Sequence, residues 1–228
     1  MHVPVPLRGV ISAPFRAFGV RPSRMNPNTC TICELMFTKV MRARKITIDA
    51  TIMFADLRGY TSLSQSQSPD AVSSLLDAFY ECANAIWAYD GLLNKTIGDA
   101  VMAVFNFPLV RADHPGNAVR AARDIQKGWR ERREALVAAH GLTASELGIG
   151  IGIHSGELSF GEFGHTHRDL TAIGTVVNTA SRAQSVAEAD QILVTKAVFD
   201  RTQPDLKDSP SKAFQLKGFD APIELYAA

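Results

Sequence analysis

Residues 46–61, ITIDATIMFADLRGYT, decide how the rest of the chain is interpreted. The run Ile46–Ala55 is rich in Ile, Thr, Met and Phe, which is typical of a buried β-strand. This strand is predicted to end at Asp56, and the Gly-containing segment Arg58–Thr61 is predicted to be a turn. An acidic residue therefore follows directly on a buried strand, where an unpaired carboxylate is costly.

The segments that follow predict a helix and then a β-hairpin. Pro69 stands near the start of a helix that stops at Asp90-Gly91, and its apolar residues recur at helical spacing: Val72, Leu75, Leu76, Phe79, Ala83, Ile86 and Trp87. The apolar runs Leu92–Ile97 and Ala100–Phe105 are joined by Gly98-Asp99, which is a hairpin signal. A second acidic residue, Asp99, is thereby predicted at a hairpin tip.

The remaining chain alternates predicted strands and helices. Asp113 is predicted to cap a long helix that reaches about His140. Leu147–His154 alternates Gly and Ile, which predicts a strand with one small face that a backbone or a ligand approaches closely. The later elements are a helix over Val176–Val186 and strands over Leu158–Phe163, Leu170–Ile173, Ile192–Thr195, Phe214–Lys217 and Ile223–Tyr226. This order predicts a mixed-sheet α+β sandwich.

Charge divides the chain into two parts. Residues 1–45 hold eight Lys/Arg and one acid, Glu34, whereas the remainder holds 16 basic and 22 acidic residues. We therefore predict a basic N-terminal arm over 1–45, with a CxxC and a short helix from Thr31 to Arg44, and one domain over 46–228. The arm either docks on its own domain, a regulatory partner or an anionic surface, or is a solvated leader.

Composition excludes several classes of protein. The net charge of +1 gives no overall bias toward nucleic acid, and no apolar run approaches the ~20 residues of a membrane-spanning helix. The N-terminus also lacks the apolar core of a secretory signal. Three cysteines, an odd number, argue against a disulfide framework and favour a cytoplasmic location.

Asp56 and Asp99 are the candidate metal ligands. Mg²⁺ is typically held by one or two protein carboxylates together with substrate phosphates, so two acids at the ends of neighbouring strands suit it. The alternative is that Asp56 caps the following turn and Asp99 only forms one. Position alone leaves both interpretations open.

Four stretches together resemble one family. FADLRGYTSLS (54–64) and KTIGDAVMAVF (95–105) resemble the metal-binding motifs of the class III adenylate and guanylate cyclases. RDLTAIGTVVNTASR (168–182) resembles the family's substrate and transition-state motif, and KGFDAPIELY (217–226) its C-terminal strand pair. The resemblance covers about residues 46–228. It implies an α+β fold with a ferredoxin-like βαββαβ core and C-terminal strand additions, and a homodimer with shared active sites.

The resemblance implies a two-metal site. Asp56 and Asp99 would bind two Mg²⁺ or Mn²⁺ ions with the backbone carbonyl of Leu57, and the turn containing Gly59 and Thr61 would cradle the phosphates of ATP. A second chain would supply Asn178 to position the ribose and Arg182 to stabilise charge on the α-phosphate. Without this resemblance, Arg182 would be interpreted as an ordinary solvent-exposed arginine on a helix.

Substrate choice is implied by two further positions. Lys95 matches the lysine with which adenylate cyclases contact adenine N1, where guanylate cyclases have Glu. Thr171 stands where guanylate cyclases have Cys. A Thr at this position resembles a subgroup of the family that is often associated with bicarbonate stimulation. Lys217 matches a triphosphate contact. The expected activity is conversion of ATP to 3′,5′-cyclic AMP and pyrophosphate; the alternatives are a guanylate cyclase and a catalytically silent nucleotide-binding homologue.

Other positions fit the family less directly. Thr175 stands where the family commonly has Asp. Cys30 and Cys33 form a CxxC that lacks the further ligands of a zinc site, although a Cys₄ site shared by two chains is conceivable. The arm resembles that of a small subset of short cyclases with a similar CxxC, and this resemblance implies a dimer-related or redox role. Cys82 is predicted to lie in the core and His154 to be buried and satisfied. His165 and His167 are predicted to titrate at the surface.

Overall fold

The computed structural model describes residues 12–23, 27–43, 45–140, 147–164 and 169–228. The strands are β1 (Ile46–Arg58), β2 (Leu92–Ile97), β3 (Ala100–Phe105), β4 (Gly148–Phe163), β5 (Asp169–Ile173), β6 (Ile192–Thr195), β7 (Ser211–Phe214) and β8 (Ile223–Ala227). The helices are α1 (Ala13–Ala17), α2 (Thr31–Ala43), α3 (Tyr60–Ser66), α4 (Pro69–Ala83), α5 (Ala85–Ala88), α6 (His114–His140), α7 (Thr175–Val186), α8 (Lys196–Phe199) and α9 (Gln203–Leu206).

In the described part of the chain, all eight strands belong to one sheet. Their order is β2-β3-β1-β4-β6-β8-β7, and β5 pairs with β4 beside this path. The neighbours among β2, β3, β1 and β4 are antiparallel, and helices connect β1 to β2 and β3 to β4. This arrangement confirms the predicted ferredoxin-like βαββαβ core, to which β6, β8 and β7 are the C-terminal additions.

The central strand β1 is covered on both faces, which explains its nearly continuous apolar sequence. Met53, Ala55 and Leu57 lie in the core cluster shared with α4 and α6. Ala50 and Ile52 lie in a second cluster that includes residues of α7. Because successive side chains of a strand point to opposite faces, Asp56 shares its face with Ala50 and Ile52, under α7.

The predicted close approach to the Gly/Ile strand is confirmed. A side chain at Gly152 would bring its first carbon 2.1 Å from the backbone nitrogen of Gln184 and 2.5 Å from the carbonyl oxygen of Ala180. Helix α7 therefore packs directly on the backbone of β4. Ile149, Ile151 and Ile153 point to the opposite face and join the core under α6.

Several predicted boundaries are wrong. The two strands predicted over Leu147–His154 and Leu158–Phe163 are one, because residues 154–157 continue the ladder with β1. The first strand continues past Asp56 to Arg58, and a helix begins at Tyr60 where only a turn was predicted.

The other boundary corrections concern the first long helix and the penultimate strand. The helix predicted from Pro69 is divided at Asn84 into α4 and α5. The strand predicted over Phe214–Lys217 lies earlier, at Ser211–Phe214. The long helix begins as predicted, since the Asp113 side chain accepts a hydrogen bond from the Gly116 N–H.

The N-terminal arm contacts the rest of the chain. The side chain of Asn28 donates a hydrogen bond to the carbonyl oxygen of Trp87 at 2.7 Å, just before β2. The predicted helix of the arm is present as α2, and α1 precedes it. Among the described residues, no helix combines the length and apolar character needed to cross a membrane.

Candidate active site

Asp56 and Asp99 are brought together by the pairing of β1 with β3. Asp56 lies opposite Ala100 in the ladder, and the N–H of Leu57 donates to the carbonyl oxygen of Asp99 at 3.1 Å. The hydroxyl of Tyr80 donates to the carbonyl oxygen of Gly98 and so anchors the hairpin tip to α4. The two acids predicted from separate motifs are therefore neighbours.

The electrostatics of this pair fit a cation. Burial and the nearby charge of Asp99 raise the pKa of Asp56 above its ordinary value, while Arg58 and Gln184 oppose this shift. Two carboxylates that destabilise each other in a partly desolvated place are stabilised by a divalent ion. No group of three or more His, Cys, Asp or Glu side chains suited to a metal occurs in the described ranges.

Two side chains that were not predicted hold Asp56 from one side. Arg58 Nη1 donates to Asp56 Oδ2 at 3.2 Å, and Gln184 Nε2 donates to the same oxygen at 3.0 Å. Arg58 Nη2 also donates to the backbone carbonyl of Gln184. Gly150 makes room for this arrangement, since a side chain there would collide with the Arg58 guanidinium. Helix α7 is thereby linked to the candidate metal ligand.

The turn predicted to contact phosphates is the start of helix α3. Gly59 has φ +79°, a left-handed conformation that glycine adopts at little cost, and it caps the helix. Thr61 is exposed in the first turn. The first backbone N–H groups of a helix have no partner within the helix, so they remain available to an anion.

Helix α7 presents two different faces. Val176, Ala180 and Ala183 are buried against the sheet. Asn178 is exposed and Arg182 half-buried on the outward face, one turn apart. Within the described ranges, the Arg182 guanidinium makes no recorded ion pair. The inward face of α7 thus serves Asp56 of the same chain, while the outward face is turned away from the core.

Lys95 and Thr171 are brought together between β2 and β5. Lys95 forms an ion pair with Asp169, and the Thr171 hydroxyl donates to Asn94 Oδ1 at 3.1 Å. The Asn94 amide in turn donates to the carbonyl oxygen of Leu170 at 2.9 Å. Thr171 is 7% exposed. Asn94 and Asp169 were not predicted from the sequence, although Asn94 is adjacent to Lys95 and Asp169 lies two positions before Thr171.

The remaining residues named in the sequence lie elsewhere in the structure. Lys217 is exposed in the turn before β8. His154 is half-buried rather than buried, and its Nδ1 lies 2.7 Å from the Thr195 hydroxyl, so it has a hydrogen-bond partner as predicted. Cys82 is buried as predicted. Thr175 begins α7 and is exposed. His165 and His167 lie outside the described residues.

Comparison with known proteins identifies the class to which this fold and carboxylate pair belong. The family model described as "Adenylate and Guanylate cyclase catalytic domain" matches residues 43–227. The chain therefore belongs to the class III adenylate/guanylate cyclase catalytic-domain family.

Relatives of both substrate classes are similar to the chain. An adenylate cyclase of Anabaena cylindrica is 33% identical over 189 residues, which are 77% of this chain and 36% of the relative. The crystal structure of the adenylyl cyclase CyaB from P. aeruginosa is 29% identical with a TM-score of 0.73, covering 81% of this chain and 95% of that one. The guanylyl cyclase Cya2 has 26% identity and a TM-score of 0.73, with coverages of 80% and 92%. The chain spans about a third of the Anabaena protein.

Proposed function

We propose that this chain is an adenylate cyclase, which converts ATP to 3′,5′-cyclic AMP and pyrophosphate at sites shared by two copies of the chain. The observation that carries the proposal is the adjacency of Asp56 and Asp99, because burial and the charge of Asp99 raise the pKa of Asp56 and a divalent cation would offset both effects. In the reaction the ribose 3′-oxygen attacks the α-phosphorus and the bond to pyrophosphate breaks.

Asp56, Asp99 and the Leu57 carbonyl would hold two Mg²⁺ or Mn²⁺ ions. Such ions, when bound, assist loss of the 3′-hydroxyl proton and neutralise the triphosphate. Arg58 and Gln184 both donate to Oδ2 of Asp56, which leaves Oδ1 directed elsewhere. A carboxylate restrained in this way loses less conformational freedom when it becomes a ligand.

The remaining contacts with ATP would come from exposed groups. The backbone N–H groups at Gly59 and Thr61 and the ammonium of Lys217 would bind the triphosphate. Asn178 would position the ribose. Arg182 would stabilise the charge that develops on the α-phosphate, and losing such a donor typically costs ~10²-fold or more in rate.

The hydrogen bonds of Thr171 favour adenine over guanine. Its single hydroxyl proton is directed to Asn94 Oδ1, so its oxygen is left as an acceptor. The 6-amino group of adenine donates, whereas the O6 atom of guanine only accepts. Lys95 pairs with Asp169, two positions before Thr171 on the same strand, and would contact adenine N1 in place of Asp169. A cytoplasmic location accords with the free cysteines Cys30, Cys33 and Cys82.

Product identification tests the activity and the substrate. The chain is incubated with ATP or GTP and Mn²⁺, and cyclic AMP is expected as the main product. Cyclic GMP as the main product would establish the alternative, a guanylate cyclase. Replacing Lys95 by Glu together with Thr171 by Cys should shift the preference toward GTP. An Asp56→Ala variant as active as the wild type would refute the mechanism, and an inactive wild type that binds ATP would be the silent homologue.

Complementation tests the shared site. Asp56→Asn and Arg182→Ala chains are each expected to be inactive, whereas their co-expression should restore about a quarter of wild-type activity, because half of the dimers are mixed and have one intact site. The matched control combines Asp56→Asn with Asp99→Asn chains. Both changes then affect the same half of each site, so no activity should return.

A further inference from the structure

Cys30 and Cys33 form a pair of free thiols that the proposed activity does not use. Cys30 immediately precedes helix α2 and Cys33 lies in its first turn, with the two sulfur atoms 3.5 Å apart. Cys33 is exposed and Cys30 is half-buried. The separation is larger than a disulfide bond of about 2.05 Å, so the two thiols are close to each other but not bonded.

The surrounding backbone holds Cys30 in place. Cys30 forms an isolated β-bridge with Pro22. On its two sides, the N–H of Thr31 donates to the Arg21 carbonyl at 2.9 Å and the N–H of Ser23 donates to the Thr29 carbonyl at 2.8 Å. The pair is therefore presented on an ordered support, which Asn28 joins to the catalytic core.

The two thiols have different environments. Partial burial opposes ionisation of Cys30, but hydrogen bonds from the backbone N–H and the thiol of Cys33 lower its pKa below the ordinary value. Partial burial and the hydrogen bond to Cys30 raise the pKa of Cys33. An asymmetric pair of this kind at the start of a helix is typical of dithiols that exchange with disulfides. Cys82 differs, because burial raises its pKa and it lies in the core.

A metal site formed by one chain alone lacks ligands. A structural zinc site needs four ligands, and the described residues contain no group of three or more candidate ligands. A second chain would have to supply two further ligands, whereas a reaction of the two sulfur atoms with each other needs only the pair in this chain.

We propose that Cys30 and Cys33 are a thiol–disulfide exchange site that reacts with low-molecular-weight dialkyl disulfides. The Cys30 thiolate attacks one sulfur of the disulfide, forms a mixed disulfide and releases one thiolate. The Cys33 thiolate then attacks the Cys30 sulfur and releases the second thiolate. The protein loses two thiol protons and two electrons, and the disulfide is reduced to two thiols. This site does not depend on the proposed cyclase activity.

Mass spectrometry of the full chain tests the proposal directly. The reduced protein is incubated with glutathione disulfide, alkylated, and digested with trypsin; the peptide 25–39 contains both cysteines and excludes Cys82. The expected product is this peptide, unalkylated and about two mass units lighter than its dithiol form. A peptide that stays fully alkylated under conditions that oxidise a reference CxxC protein would overturn the proposal.

Single variants identify the attacking sulfur. Cys33→Ser should accumulate glutathione on Cys30, because the resolving thiol is missing, and should do so about tenfold faster at pH 7 than Cys30→Ser modifies Cys33. Cys82→Ser is the matched control and should behave like the wild type. Equal rates in the two single variants would refute the assigned roles. One tightly bound zinc ion per two chains in the purified protein would establish the shared Cys₄ site instead.

Discussion

Replacing Gly152 by Ala is expected to disturb the candidate site from beneath helix α7. The added carbon would lie 2.1 Å from the Gln184 nitrogen, 2.5 Å from the Ala180 oxygen and 2.6 Å from the Gln184 Cα. All three are backbone atoms, so a rotamer change cannot relieve the collision. The helix must move outward by roughly 1 Å or more to reach ordinary van der Waals separation.

This movement should reduce both stability and activity. Overpacking of a close-packed interior typically costs 1–3 kcal/mol, and a rigid backbone places Gly152→Ala near the upper value, about 3 kcal/mol. For a chain of this size that corresponds to a fall in Tm of about 6–12 °C. The displaced helix carries Gln184 away from Asp56 and shifts Arg182, and a misplacement of about 1 Å can cost ~10²-fold in rate.

Thermal unfolding and steady-state kinetics with ATP and Mn²⁺ measure these effects. Gly128→Ala is the matched control, because the added carbon would meet only the ends of the Arg132 and Cys82 side chains, at 3.4 and 3.5 Å. In a helix this exchange gains up to about 1 kcal/mol, so the control should be at least as stable as the wild type. A Gly152→Ala protein with unchanged Tm and kcat would show that α7 does not rest on the β4 backbone.

Three further predictions concern single side chains. Gln184→Ala removes one of two donors to Asp56, so Mn²⁺ should bind about tenfold more weakly in a calorimetric titration; unchanged binding would refute the positioning role. Asn94→Ala removes the acceptor of the Thr171 hydroxyl proton, so this hydroxyl can donate to guanine O6. The kcat/KM for ATP divided by that for GTP should then fall about fivefold, and an unaltered ratio would contradict the role given to Asn94. Burial lowers the pKa of His154 from 6.5 to about 4, so the folded protein keeps it neutral while the unfolded chain takes up a proton. The contribution of His154 to the free energy of unfolding is therefore lost as pH falls from about 6.5 to 4. His154→Asn should reduce the loss of unfolding free energy over this range by up to about 3 kcal/mol, measured by denaturant unfolding; identical pH profiles of the two proteins would refute the prediction.

Much of the fold could be predicted because its signals are local. The apolar run of β1, the Gly-Asp hairpin and the Asp113 cap each lie within a few residues. The errors occurred where tertiary contacts override local pattern. The polar residues 154–157 suggest a break, but the pairing of β4 with β1 continues through them. In the same way, helix α3 follows directly on Gly59 in a segment with little helical pattern.

Sequence alone determined the two acidic positions and their motifs, because an acid at the end of an apolar strand or at a hairpin tip is visible within a short window. Tertiary structure decided what surrounds them. Gln184 and Asp56 are 128 positions apart and meet only because Gly152 admits α7 to the face of the sheet that Asp56 shares. That same packing turns Asn178 and Arg182 outward, since residues one turn apart share a face and the opposite face is already buried.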